Sequence, residues 1–209
     1  QTLKALRFFE EKGDDVRKGD ALKQLADIEF QMGNYNGCLA YARQAIEIYK
    51  KNDDKIYQSY ALNTGGMAAE KLGNLPLTSE MFRASLVLAR EMNVQTMISQ
   101  GLNALARLAY GKGNFLEAKA MLEESLEITE KEDIKLNKAD THQELALMYL
   151  AQKKYEDALI NVNATIAIAD EIQALPTLGD AHKTRAEIHS KRNQGELAYL
   201  DFKTYHQIN

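Results

Sequence analysis

Gly113-Asn114-Phe115 stands near the middle of the chain, and two close copies precede it at a constant interval: Gly73-Asn74-Leu75 and Gly33-Asn34-Tyr35. The same step forward reaches Lys153-Lys154-Tyr155 and then Asn193-Gln194-Gly195. Glycine belongs at such corners because the residue that ends a helix must turn left-handed, which glycine does at no steric cost. Asparagine tolerates that geometry and lysine does so less well, so the corner at Lys153 is expected to be strained. In the same frame Ala26, Gly66, Ala106, Ala146 and Ala186 form a column of small residues, while Ile48, Leu88, Ile128, Ile168 and Ile208 form an aliphatic one. No insertion or deletion breaks the register. A second set of corners, Gly13, Asp53, Asn93, Asp133 and Gln173, marks the break between units.

Within each period the apolar spacing is helical. Ile98, Leu102, Leu105 and Ala109 recur at four, three and four, the stripe of an amphipathic helix, and Phe115, Ala118, Leu122, Leu126 and Thr129 continue a similar stripe past the corner. Each unit is therefore two helices of about four turns. Pro76 and Pro176 fall at helix starts, where a missing N–H costs nothing. The expected fold is all-α, a right-handed superhelical solenoid of antiparallel helix pairs. Residues 1–209 are expected to be a single array with five repeats at 15–54, 55–94, 95–134, 135–174 and 175–209. Residues 1–14 read as the second helix of an earlier unit. The sequence does not begin with Met, and a longer parent protein is expected.

Composition narrows the function classes. The 209 residues are 45% hydrophobic and 27% charged, with 26 basic and 30 acidic side chains for a net charge of -4. That balance excludes a disordered chain. No apolar stretch approaches the roughly 18 residues of a membrane span, and no basic block points to nucleic acid, so neither membrane nor nucleic acid is an expected partner. A lone Cys38 rules out an internal disulfide framework and suits a reducing, cytoplasmic setting.

Paired helices with small residues where they cross, joined by a Gly-Asn-aromatic corner, resemble the tetratricopeptide repeat (TPR). The family pattern falls on Leu102, Leu105, Ala106, Ala109, Ala118 and Leu122, and again on His142, Leu145, Ala146, Tyr149, Ala158 and Val162. Leu or His replaces the family's Trp, the terminal Pro is missing, and the period is 40 rather than about 34. The long period is similar to the class found in kinesin light chains, spindle-orientation adaptors and bacterial signalling proteins. The closing segment, Ala198 to His206, resembles the end of TPR sensor regions that precede cyclase or kinase domains.

Catalytic or metal-binding spacings are missing. Gly111-Lys112-Gly113-Asn114 lacks the phosphate-cradling frame and reads as the ordinary corner, and the four histidines form no H-E-x-x-H pair. His142 and His182 take the family's Trp position and are expected to pack between helices. Cys38 reads as a buried small residue, and the acidic run Glu123, Glu124, Glu127, Glu130 and Glu132 as a solvated outer face. No enzyme activity, cofactor or metal is expected.

The resemblance implies that the first helix of each pair lines a concave groove. One column there is Lys23, Asn63, Asn103, Gln143 and Lys183; beside it run Asp27, Met67, Arg107, Leu147 and Glu187, and then Phe30 and Tyr110. The first column is polar throughout between apolar neighbours, which predicts a solvent-facing position. Asn63 and Asn103 resemble the asparagine ladders that hold peptide backbones, and Arg107 could pair a partner carboxylate. The expected partner is a protein or peptide, with another domain of the same chain or a homodimer as alternatives. Two functions remain open: a groove-binding interaction module, or the regulatory input region of a larger bacterial signalling protein such as a nucleotide cyclase or kinase.

Overall fold

A computed structural model of the chain describes residues 2–208; Gln1 and Asn209 lie outside the described residues. These residues form eleven helices and no strand: α1 (Thr2–Lys12), α2 (Asp15–Gln31), α3 (Tyr35–Lys51), α4 (Lys55–Lys71), α5 (Leu75–Glu91), α6 (Gln95–Gly111), α7 (Phe115–Lys131), α8 (Lys135–Ala151), α9 (Tyr155–Glu171), α10 (Leu175–Lys191) and α11 (Gly195–Ile208). Helices α2 to α10 are each 17 residues long, about 26 Å at the usual helical rise.

Three residues separate each helix from the next where the array is regular, and one residue does the turning. Gly13, Gly33, Asp53, Gly73, Asn93, Gly113, Asp133, Lys153, Gln173 and Asn193 all have positive φ, at a constant spacing of 20. The chain thus turns twice per repeat by one device. At Gly73 the N–H of Gly73 donates to the Glu70 carbonyl and that of Asn74 to the Ala69 carbonyl, which satisfies carbonyls the helix end would leave bare. Asn74 then caps the next helix, its side chain accepting from the Leu77 N–H. Asp14, Asn34 and Asp54 do the same for Arg17, Gly37 and Tyr57. The expected awkward corner is real: Lys153 sits at φ 60, and Lys154 after it supplies no cap.

The chain divides into two compact units, 1–97 and 98–209. In the first, Leu22, Leu25, Ala45 and Tyr49 form the core with Leu62 and Met81. In the second, Ala118, Leu122, Leu145 and Met148 form one cluster and Val162, Ala181 and Ile188 another. Partner helices within a pair touch through small side chains at matching positions. Ser59 and Ser85 share a 2.8 Å contact, and Ser125 and Thr165 donate to the carbonyls of Ser99 and Ala139.

Two expectations about single residues hold. Cys38 is sealed, and its burial, followed by the nearby Asp27 and Glu29 charges, pushes the thiol up to about 11, so it is inert. The acidic run on α7 is exposed.

Candidate interaction face

First helices lie beside one another within each unit, and their contacts recur at one spacing. Thr64 donates to Asp27 in the first unit; Arg107 to Glu144 and Thr177 to Asp140 in the second. The predicted columns occupy these helices, α2 and α4 in one unit and α6, α8 and α10 in the other.

In the first unit Lys23 and Asp27 are ion-paired at 2.6 Å, one helical turn apart, and Thr64 ties Asp27 to α4. Asn63 and Met67 are half-buried, as is Phe30, which packs edge-on against Tyr35. An aromatic cluster that the columns did not predict lies one turn before Lys23 and Asn63. Tyr49 is fully buried, donates to Asp20 at 3.0 Å and stacks on Tyr57, which is 47% exposed; Tyr60 beside it is 42% exposed. Burial, then the Asp20 hydrogen bond, raises the Tyr49 phenol far above its usual value. With Asp20, Lys23 and Gln24 these rings line a cavity of about 380 Å³. The signal in the sequence was the offset column Asp20, Tyr60, Gln100, Asp140 and Asp180, one turn ahead of the polar one.

In the second unit the solvent-facing prediction fails for Asn103. It is 7% exposed, and its amide both donates to and accepts from Thr141. Thr141 also meets Ser125 at 2.9 Å, and Asn137 donates to Ser99 at 2.6 Å. Asn103 therefore belongs to a buried polar network linking α6, α7 and α8, and its hydrogen-bonding groups serve the fold. Arg107 needs a similar correction. Glu144 holds it at 2.8 Å and also accepts from Tyr110, so its guanidinium is engaged inside the unit. Gln143 donates to Thr184 at 2.6 Å, while its buried Oε1 meets no donor among the described residues. Leu147 is half-buried. Lys183 and Glu187 on α10 are exposed. Asp140, half-buried near Glu144 and Asp180, has a carboxyl raised to about 6: burial dominates, the Thr177 hydrogen bond opposes it, and the two acids add to it.

His142 and His182 sit between helices, as expected, but as hydrogen-bonding residues. His142 meets Asn161 at 3.0 Å, and His182 meets Asp201 at 2.9 Å, in the same register one repeat on. Arg185 grips both oxygens of the buried Asp201. Burial opposes the charge on Asp201, but the hydrogen bonds from Arg185 and His182 outweigh it and hold the carboxyl below its usual value.

A tetratricopeptide repeat family model matches residues 97–171. No curated protein sequence matches the chain. Among solved structures, BtubC from P. vanneervenii is similar at 14% identity with a TM-score of 0.77, covering 99% of this chain and 87% of that one. A signal transduction ATPase with numerous domains and a tetratricopeptide repeat sensor, from Pyrococcus horikoshii, is similar at 17% identity and a TM-score of 0.76, covering 99% of this chain but 35% of that one. A Rap protein complexed with competence and sporulation factor is similar at 16% identity and a TM-score of 0.69, covering 96% of this chain and 66% of that one. At such identities the likeness is one of fold. Residues 97–171 match the tetratricopeptide repeat family, and the 17-residue helices in antiparallel pairs, with these fold relatives, show a tetratricopeptide-repeat-like fold with a long repeat.

Proposed function

We propose that the chain is a protein-interaction module that holds a peptide or protein segment against the exposed first-helix face of its first unit. The aromatic cavity of the first unit carries this reading. Tyr57 and Tyr60 offer large, half-exposed rings, a residue type enriched among those that dominate binding energy at protein interfaces, beside a carboxylate and an ammonium that can set orientation. The TPR fold is in general a non-catalytic interaction scaffold, and one fold relative is complexed with competence and sporulation factor. Lys23 and Asp27, beyond Asp20 along α2, would add polar contacts within the same unit. Peptides selected on the protein from a random library and measured by calorimetry test the reading. Tyr60→Ala should weaken the selected peptides tenfold or more, with the melting temperature within about 2 °C of the parent. Unchanged affinity in Tyr57→Ala and Tyr60→Ala together would remove the face from consideration.

A second reading makes the chain the input region of a larger bacterial signalling protein, acting by docking or dimerisation. It is supported by the likeness to the tetratricopeptide repeat sensor of a multidomain ATPase. Sedimentation of the chain over a hundredfold concentration range tests its dimer arm; a monomer throughout leaves docking as the route.

A further inference from the structure

Three tyrosines wall the cavity of the first unit, and Asp20, Lys23 and Gln24 complete it. Tyr49 and Tyr57 lie nearly parallel, with centroids 5.5 Å apart at 25°, while Tyr60 is tilted by 59° from Tyr57 at 6.4 Å. Tyr49 is sealed, so Tyr57 and Tyr60 are the rings that meet solvent. Ring faces are electron-rich, and a cation laid over them is attracted.

Two charged side chains line the cavity, and the protein answers one of them. The Lys23 ammonium is held by Asp27 at 2.6 Å, one turn along the same helix. Among the described residues no ammonium or guanidinium pairs with Asp20, whose Oδ1 accepts from the Tyr49 hydroxyl at 3.0 Å. Tyr49 stays the donor in that bond, because burial and then the hydrogen bond itself raise its phenol far above the usual value. A neutral phenol leaves the carboxylate its charge, and Oδ2 keeps its capacity to accept. Asp140 holds the equivalent place in the second unit, but α10 carries Thr177 and Asp180 where α4 carries Tyr57 and Tyr60. There the Thr177 hydroxyl meets the acid, whereas at Asp20 the acid shares its cavity with rings.

We infer, on the footing of the proposed interaction face, that this cavity takes the guanidinium of an arginine in the bound segment, laid against Tyr57 and Tyr60 and hydrogen-bonded to Asp20. A guanidinium is planar and weakly hydrated, so it stacks on a ring while its N–H groups reach a carboxylate; a lysine ammonium does only the second well. An acidic side chain would find Lys23 already held by Asp27 and would be repelled by Asp20.

Peptides selected on the whole chain from a random library are the probe, read by calorimetry. Those that Tyr60→Ala weakens should carry an arginine, and its replacement by citrulline, which keeps the shape and removes the charge, should cut affinity about tenfold or more. Replacement by lysine should cut it about threefold or more. Asp20→Asn, which keeps an oxygen for the Tyr49 hydroxyl, should weaken the arginine peptide about tenfold and leave its citrulline twin within about twofold. The arginine peptide should also lose affinity more steeply than its twin as salt rises. The citrulline comparison is made on the unaltered protein and so holds whatever Asp20→Asn does to folding. Peptides that Tyr60→Ala weakens but that carry no arginine, or that bind as well with citrulline or lysine in its place, overturn the inference and leave the interaction face standing. Peptides indifferent to Tyr57→Ala and Tyr60→Ala together remove the face, and the arginine site with it.

Discussion

Gly66 leaves room for the ring of Phe82, which is sealed at 1% exposure, whereas Ala186 faces a Phe202 that is 45% exposed. A Cβ built on Gly66 would lie 2.5 Å from the Phe82 ring, while the same column holds alanine opposite Ala42, Leu122 and Val162. Gly66→Ala should cost about 1–3 kcal/mol by overpacking, read as a fall in thermal stability. Gly111→Ala, which meets nothing within 4 Å, should be neutral or slightly stabilising. Asp140 makes a prediction in pH. Its carboxyl is raised from 3.8 to about 6, so the folded chain keeps a proton that the unfolded chain releases, and stability falls as pH climbs through that window. Asp140→Asn should therefore raise stability at about pH 7.5, by of order 2 kcal/mol, and change little near pH 3.5. Denaturant titrations at the two pH values check it. Asn103 shows where reading by column misleads. A polar column suggested water, but Thr141 stands in a column otherwise made of Ala21, Ala61, Gly101 and Ala181, and Ser99 and Ser125 flank it. Those departures from small apolar residues, taken together, mark a buried polar pocket that Asn103 completes.

Helices and corners were legible because their chemistry is local. Glycine, asparagine and aspartate at fixed intervals place most of the turns, and each stripe of apolar residues then has one direction to face. Lys153 is the exception that tests this account. Lys153→Gly should stabilise the α8–α9 corner by about 1 kcal/mol, since glycine adopts φ 60 without penalty, and the melting temperature should rise accordingly. Helix α11 depends on a contact that was harder to foresee. The histidines at 142 and 182 looked like substitutes for packing aromatics. Their partners on the second helix of each pair change in step, from Tyr41, Met81 and Met121 to Asn161 and Asp201. Packing became hydrogen bonding in the same two repeats, which only the paired columns disclose. Asp201→Ala would strand Arg185 and His182 and should loosen α11 by roughly 3–5 kcal/mol. Hydrogen exchange should then rise across residues 195–208 first, while α2 to α4 keep their protection.

For the whole molecule, the fold followed from periodicity, whereas partner choice depends on what each repeat does differently. The aromatic cavity lies in one repeat and has no copy in the next, where Met97 and Gln100 stand in the places of Tyr57 and Tyr60. Ten corners with a constant spacing of 20 also make the units of structure equal in chain length. Pulled from its two ends in optical tweezers, the protein should release length in increments of about 130 Å, the contour of one repeat less its folded thickness. A single rip of the full chain would show that neighbouring pairs do not yield separately. A polypeptide ruled off so evenly behaves as a graduated spring, and tension applied to it is relieved by equal portions rather than in one collapse.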